Sequence, residues 1–496
     1  MKTADVLNRR GERKSGNDRI FFFAALSAFI VLTLSGVLTH EPWRDESQAW
    51  LIARDLDLRG LFSQMSYEGT PGLWHLILYP FAKSGAPYFS EAAVHLIIAI
   101  AGAAVFLRNA PFGKLTKVLF LFSFFTAYQY AVVARSYVLT GLILFCIASI
   151  HQRRMEKPLR YALLLALLAN TNVHSFGAAL ALSGLFAIGI LRRRPFRITH
   201  FAAGTAIFAG FAAALLQLYP HDDCFTSGLF PFFNPRSLIS TAGGAFFLFD
   251  IKPFNLIPQI FFTIFIVASG FYFIRKPPVF VFYLGALLWP LYIFTFKYPG
   301  NQYHLGLITL FTVTAFWLDA TYGDKFKDTE SPRIIELGKI LFLILNASLA
   351  LSCVRCASAY ADEYSERYSG AEDAAEFIIK NIPDSEIIAA HRGPQTAALL
   401  PHLPGRKFWY PETERFGTFI IWNRDYYKGT RISFSEAVSR SKKTFSGKEI
   451  IFIFNKPYEL NREEGLEQIY APAARRPMVA DEQYWIYRMK SPARKR

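Results

Sequence analysis

The sequence predicts an α-helical polytopic membrane protein of about eleven transmembrane helices with a small C-terminal α/β domain. Three observations carry this. Of 496 residues, 52% are hydrophobic, 49 of them Phe, and the mean hydropathy of +0.23 is high for a chain that meets only water. Apolar runs long enough to cross about 30 Å of hydrocarbon recur through the first three quarters of the chain. Basic residues cluster in the short gaps between those runs.

The net charge of +16 comes from 54 Lys and Arg against 38 Asp and Glu. A basic balance alone points to nucleic acid; its distribution points instead to the positive-inside pattern. Arg9, Arg10, Arg13, Lys14 and Arg19 precede the first run; Arg153, Arg154, Lys157 and Arg160 fill a later gap; Arg192, Arg193, Arg194 and Arg197 fill another. Spans are expected near 20–38, 89–107, 114–131, 136–151, 159–176, 177–191, 198–218, 254–274, 278–296, 303–319 and 335–353. An N-terminal tail, 1–19, in the cytoplasm puts every other basic gap inside and the loop 39–88 outside. The alternation closes when Thr70–Ser84 lies flat on the outer surface as an interfacial helix. The first run is longer than a signal-peptide core and no A-x-A-like site follows it, so it reads as an uncleaved span. The whole implies a multi-pass protein of the inner (cytoplasmic) membrane.

The transmembrane part is expected over 20–357 and an extracytoplasmic domain over 358–496. In the latter, Ala371–Asn381 and Phe434–Thr444 read as helices, and Glu386–Ala390 and Glu449–Phe454 as buried strands. No internal repeat, P-loop or dinucleotide-binding glycine pattern is visible, so an ATP-driven pump finds no support. Four cysteines make no disulfide framework, and Cys353-x-x-Cys356 reads as chance spacing at a helix end.

Polar residues worth chemistry gather at the outer boundary. His40-Glu41-Pro42-Trp43-Arg44-Asp45-Glu46-Ser47-Gln48-Ala49-Trp50 opens an amphipathic stretch just after the first span. Asp45 with Gln48 three residues on fits a helix cap, and Glu46 suits the positive helix end; a catalytic carboxylate pair fits as well. Arg135 and Tyr137 flank the start of a span, where a cation and an aromatic either snorkel or line a polar chamber. Asn170, Asn172 and His174 mark the end of another, and Lys297, Asn301, Tyr303 and His304 surround the Pro299-Gly300 turn signal. His221-Asp222-Asp223 reads as a solvated acidic loop. Ser237–Phe249, with Gly243-Gly244, is short for a span and is compatible with a re-entrant segment.

This layout resembles the GT-C glycosyltransferase superfamily, whose bacterial aminoarabinose transferases and protein O-mannosyltransferases share a first span, an outer loop with an acidic pair, and amphipathic surface helices. The similarity covers roughly 15–355 and rests on Trp43–Trp50, Tyr67-Glu68-Gly69-Thr70-Pro71-Gly72-Leu73-Trp74, Ala134-Arg135-Ser136-Tyr137 and Lys297–His304. Thr70 departs from the pattern, since relatives often carry His there. The resemblance implies a GT-C-like fold and transfer of a sugar from a polyprenyl-phosphate donor to a glycan, lipid or protein acceptor. It implies Asp45 as base with Glu46 beside it; Arg135, Tyr137, Lys297, Asn301, Tyr303 and His304 toward donor phosphate or sugar; and Glu68, Asn172 and His174 as lining. Such chemistry needs a base for the acceptor hydroxyl but no strong acid, because the leaving phosphate departs as an anion. Two adjacent carboxylates leave a divalent cation open. A transporter or flippase of a lipid-linked glycan, and a non-catalytic scaffold, are the other classes the residues allow.

Overall fold

The computed structural model describes residues 16–193, 195–224, 235–251, 254–297, 300–322, 331–429, 432–458, 465–472 and 476–489. Among the described residues, eight helices are long and apolar enough to cross a membrane: Gly16–Thr39, Ser90–Asn109, Val173–Leu191, Ile198–Leu218, Leu256–Phe273, Pro277–Phe296, Gln302–Tyr322 and Pro332–Ser365. Tyr137–Arg153 and Pro158–Ala169 are shorter apolar helices of the same bundle. Gln302–Tyr322 is central: every residue from Gly306 to Asp319 is buried, as expected of a helix that is apolar on all sides. Ile198–Leu218, by contrast, exposes Phe201, Phe208 and Leu216, a surface that only lipid satisfies at this density. Glycine permits close helix crossings. A Cβ at Gly177 would collide with the backbone of Gly285, so their helices touch main chain to main chain.

Two expected spans are redrawn. The 114–131 stretch does not form one helix. Lys114–Leu121 ends at Phe122, and a π-helical segment, Phe124–Gln129, leads into turns through Val133. The break between the fifth and sixth expected spans falls at Asn170–Asn172, earlier than residue 176, because Asn172 caps the next turn by accepting from the Ser175 amide at 3.0 Å.

Three short helices follow the first long one on the side of the bundle that carries the sheet: Arg44–Asp55, Leu58–Glu68 and Leu73–Lys83. The last occupies the stretch expected to lie flat; its 11 residues extend only about 16 Å, and it buries Trp74, His75, Leu78 and Ala82. Gly69, at φ 63°, closes the second, a left-handed cap where glycine carries no Cβ penalty.

The boundary expected at 358 lies inside the Pro332–Ser365 helix, and the sheet unit follows it. Helices Ala371–Asn381 and Phe434–Thr444 have the bounds the sequence suggested. The strands are β1 (Ile387–Ala390), β2 (Phe408–Tyr410), β3 (Arg415–Gly417), β4 (Ile450–Phe454), β5 (Leu466–Tyr470) and β6 (Trp485–Met489). They form one sheet in the order β3-β2-β1-β4-β6-β5, with β1 parallel to both β2 and β4. Alternate residues serve two cores: Ile388, Ala390, Ile451 and Ile453 pack one face, and Ala389, Ile450, Phe452 and Phe454 the other.

The Arg44–Asp55 helix joins the two units. Ala49, Trp50 and Ala53 belong to the membrane core, while Leu51 is fully buried in a sheet-unit core. At its start, Arg44 donates from its amide and Nε to Glu482 Oε1 (3.1 and 2.8 Å) and from Nη1 to Asp481 Oδ2 at 2.9 Å.

Candidate active site

The helix start decides which carboxylate is available. Trp43 is the N-cap, so Asp45 is in the first turn and is not the cap the sequence suggested. Glu46 takes the capping part, reaching back to the Trp43 amide at 3.1 Å. Its other oxygen accepts from the Ala134 amide at 2.6 Å. His40 bridges Glu46 (3.1 Å) and Glu363 (3.0 Å). Burial alone would lower the His40 pKa; attraction to Glu46 and hydrogen bonds to both carboxylates carry it up to about 10, so it is an imidazolium. Glu46 is 1% exposed with three donors upon it. It lies outside the cavity described next, which corrects its expected place beside Asp45 as a reacting group. Its geometry is that of a clamp, tying the residue before Arg135 to the helix that bears Asp45.

Asp45 faces the other way. It opens onto a cavity of about 500 Å³ and pairs through Oδ2 with Nη1 of Arg135. Arg135 follows the π-helical segment and its turns, irregular backbone of a kind that recurs at functional sites. Its guanidinium carbon lies 5.0 Å from the centroid of Tyr303 and 5.7 Å from that of Tyr137. The cavity wall includes Glu68, Tyr137, Asn172, His174, Lys297, Asn301, Tyr303 and His304. The fold thus brings together every expected site residue except Glu46. Tyr298 and Pro299 of the fourth motif lie outside the described residues.

Their partners separate supporting residues from those open to chemistry. Asn172 donates to Thr140 Oγ1 at 2.7 Å and accepts from the Ser175 amide and hydroxyl, so it holds the wall. His304 Nδ1 accepts from the Asn301 amide at 2.9 Å, which leaves the ring proton on Nε2. The His174 and His304 rings are 4.7 Å apart. Glu68 accepts from Gln48 (2.8 Å) and Gln64 (2.9 Å). Burial lifts its pKa to about 7 against the pull of those bonds.

Two lining residues escaped the sequence reading. His75 projects from the Leu73–Lys83 helix, and burial and Arg135 lower its pKa to about 4, so it is neutral. Its position just past the Tyr67–Trp74 motif was the available signal. Trp422 comes from the sheet unit, and nothing local in the sequence marks it. His221-Asp222-Asp223 is exposed as expected, yet it is held: Asp223 accepts from Tyr67 at 2.8 Å, and His221 stacks on Tyr67. No group of three or more His, Cys, Asp or Glu fit to hold a metal occurs among the described residues. The four cysteines form no disulfide among the described residues.

A multi-pass helical bundle with a polar cavity at one end, surface helices over it and a small appended sheet is the GT-C-like architecture the resemblance implied. A solved structure with this fold is the crystal structure of ArnT from Cupriavidus metallidurans bound to undecaprenyl phosphate. The two agree with a TM-score of 0.53 over 96% of this chain and 98% of that one, at 12% identity, a likeness of fold. No family model and no curated protein matches the sequence.

Proposed function

We propose that the protein is a membrane glycosyltransferase that moves a sugar from a polyprenyl-phosphate donor to an acceptor hydroxyl on the outer face of the inner membrane, with its N-terminus in the cytoplasm. One observation carries the reading. An Asp–Arg pair faces a polar cavity at the mouth of an apolar bundle, in a fold shared with a protein whose structure holds undecaprenyl phosphate. In this reading the lipid lies along the bundle, and Arg135, with Lys297 and the His174–His304 pair, faces the phosphate. Asp45 takes the proton of the acceptor hydroxyl. The acceptor oxygen bonds to the anomeric carbon as the bond from that carbon to phosphate oxygen breaks, and polyprenyl phosphate leaves as an anion. Attack opposite the phosphate inverts the anomeric centre. Arg135 is then shared: it holds Asp45 before the donor arrives and turns to the phosphate afterwards.

The test is complementation of a deletion strain with wild type and Asp45→Asn at equal membrane abundance, with surface glycans read by mass spectrometry. The reading requires that wild type restores a glycan and Asp45→Asn does not. Full restoration by Asp45→Asn would remove the carboxylate from the mechanism.

A further inference from the structure

A smaller chamber, about 180 Å³, adjoins the cavity just described. The two share Asp45, Gln48, Glu68, Arg135 and Trp422. They diverge from that common wall. The larger runs toward His174, Lys297 and His304 at the ends of spanning helices; the smaller is completed by Arg44 and, from the sheet unit, Pro394 and Ile420. Asp45 therefore stands between a space continuous with the bundle and one roofed by the appended domain.

The roof is fixed in place. Ile420 is 4% exposed, donates its amide to Gln48 Oε1 at 3.0 Å, and accepts at its carbonyl from Gln48 (2.7 Å) and Gln64 (3.2 Å). Two residues on, Trp422 packs edge-on to Tyr426 at 5.5 Å. Trp422 lines both spaces and brings an aromatic surface to their common wall.

Size, charge and surface select the occupant. The volume is below the roughly 300–1,000 Å³ of drug-sized sites and suits a single ring. Two carboxylates, Asp45 and Glu68, meet two guanidiniums, Arg44 and Arg135; each of the latter is paired, Arg44 with Asp481 and Glu482 and Arg135 with Asp45. With the donor bound, Arg135 is taken up by its phosphate and Arg44 stays with Asp481 and Glu482, so an anion entering here would face Asp45 and Glu68 without a cation to itself. A neutral ring with several hydroxyls meets acceptors, donors and an indole.

We propose that this chamber is the acceptor subsite, and that it takes an uncharged, hydroxyl-rich sugar ring stacked on Trp422 with one hydroxyl directed to Asp45. The proposal rests on the glycosyltransferase reading and gives the sheet unit a task within it: the domain supplies the acceptor platform.

The test uses the full chain in lipid nanodiscs and fluorine NMR relaxation of monofluorinated glucose, galactose and mannose. At least one should bind wild type. Trp422→Ala and Trp422→Leu should weaken it about tenfold or more, and Trp422→Phe should bind within a few-fold of wild type. Inorganic phosphate should not compete. The proposal is overturned if no sugar binds, if a folded Leu or Ala variant binds as tightly as wild type, or if phosphate displaces the sugar. Hydrolysis of an undecaprenyl-phosphate-linked sugar, measured on the same samples, separates the two ideas. Asp45-dependent hydrolysis without sugar binding removes the chamber alone. Sugar binding through Trp422 without hydrolysis removes the transferase and leaves a sugar site.

Discussion

The bundle carries a polar cluster toward each of its ends, and the two put similar side chains to different uses. At the end away from the sheet, Arg275 grips Asp319 with two bonds of 2.7 and 3.0 Å, Lys276 adds a 3.1 Å contact, and the guanidinium lies 3.7 Å from the Tyr272 ring centroid. Beside it His151 joins Tyr161 (2.8 Å) and Tyr322 (2.9 Å). The Asp45–Arg135 end has similar residue types around a cavity of about 500 Å³. Ion pairs and histidines at a membrane boundary therefore do not by themselves mark a site. What distinguishes the sheet-side cluster is that its aspartate lines that cavity, whereas Asp319 is 7% exposed and closed in by Arg275 and Lys276.

Substituting each aspartate tests that distinction most strongly. Asp45→Asn should reduce sugar transfer about 10²–10⁴-fold, the range for removing a positioned base, with little loss of folded protein. Asp319→Asn should do the reverse: it removes the carboxylate that faces two buried cations and should destabilise the fold by about 1–3 kcal/mol, while transfer per folded molecule stays close to wild type. Denaturation midpoints in detergent alongside turnover would show it. If Asp319→Asn abolished transfer at full stability, the contrast between open and closed clusters would fail.

The same contrast exists between neighbours in the chain. Asp45 faces the cavity, whereas Glu46 accepts from the Trp43 and Ala134 amides and His40. Glu46→Gln puts an amide N–H₂ against one of those donors and removes one of the two carboxylate charges facing the His40 imidazolium. A destabilisation of about 3 kcal/mol is expected, together with a fall in kcat larger than any change in donor KM, because the clamp on the Ala134–Arg135 backbone loosens. Unchanged stability would mean that the clamp is not needed.

What was readable in the sequence follows from the range of each interaction. Ala371–Asn381 and Phe434–Thr444 were found at their bounds because an apolar stripe and local end signals define them within a dozen residues. The site motifs were found because all but one of the expected residues border a single cavity. The expected cap at Asp45 failed because the helix is capped two residues earlier, at Trp43, and the partners that fix Glu46 in the capping part are distant: Ala134 is 88 residues away and Glu363 lies on the last long helix. The 114–131 stretch looked like a span because hydropathy does not register the π-helical turn that delivers Arg135. Trp422 was invisible for the same reason, since the strap before it meets Gln48 across 372 residues of sequence.

That strap yields the mildest test, through pH. Glu68 is held by Gln48 and Gln64, and burial moves its pKa from the ordinary 4.5 to about 7. The native state thus binds this proton more tightly than the unfolded chain. Stability from this group is fully present below pH 4.5 and is lost as pH rises through about 7, by up to about 3 kcal/mol. Glu68→Gln keeps a hydrogen-bonding side chain of the same length with no charge to desolvate. It should flatten the decline between pH 5 and 8 and make the protein more stable than wild type at pH 8. A pH series of thermal unfolding in detergent measures both slopes. Parallel slopes would mean that Glu68 meets water freely, and the chamber roof that Gln48 and Trp422 close over it would have to be open in solution.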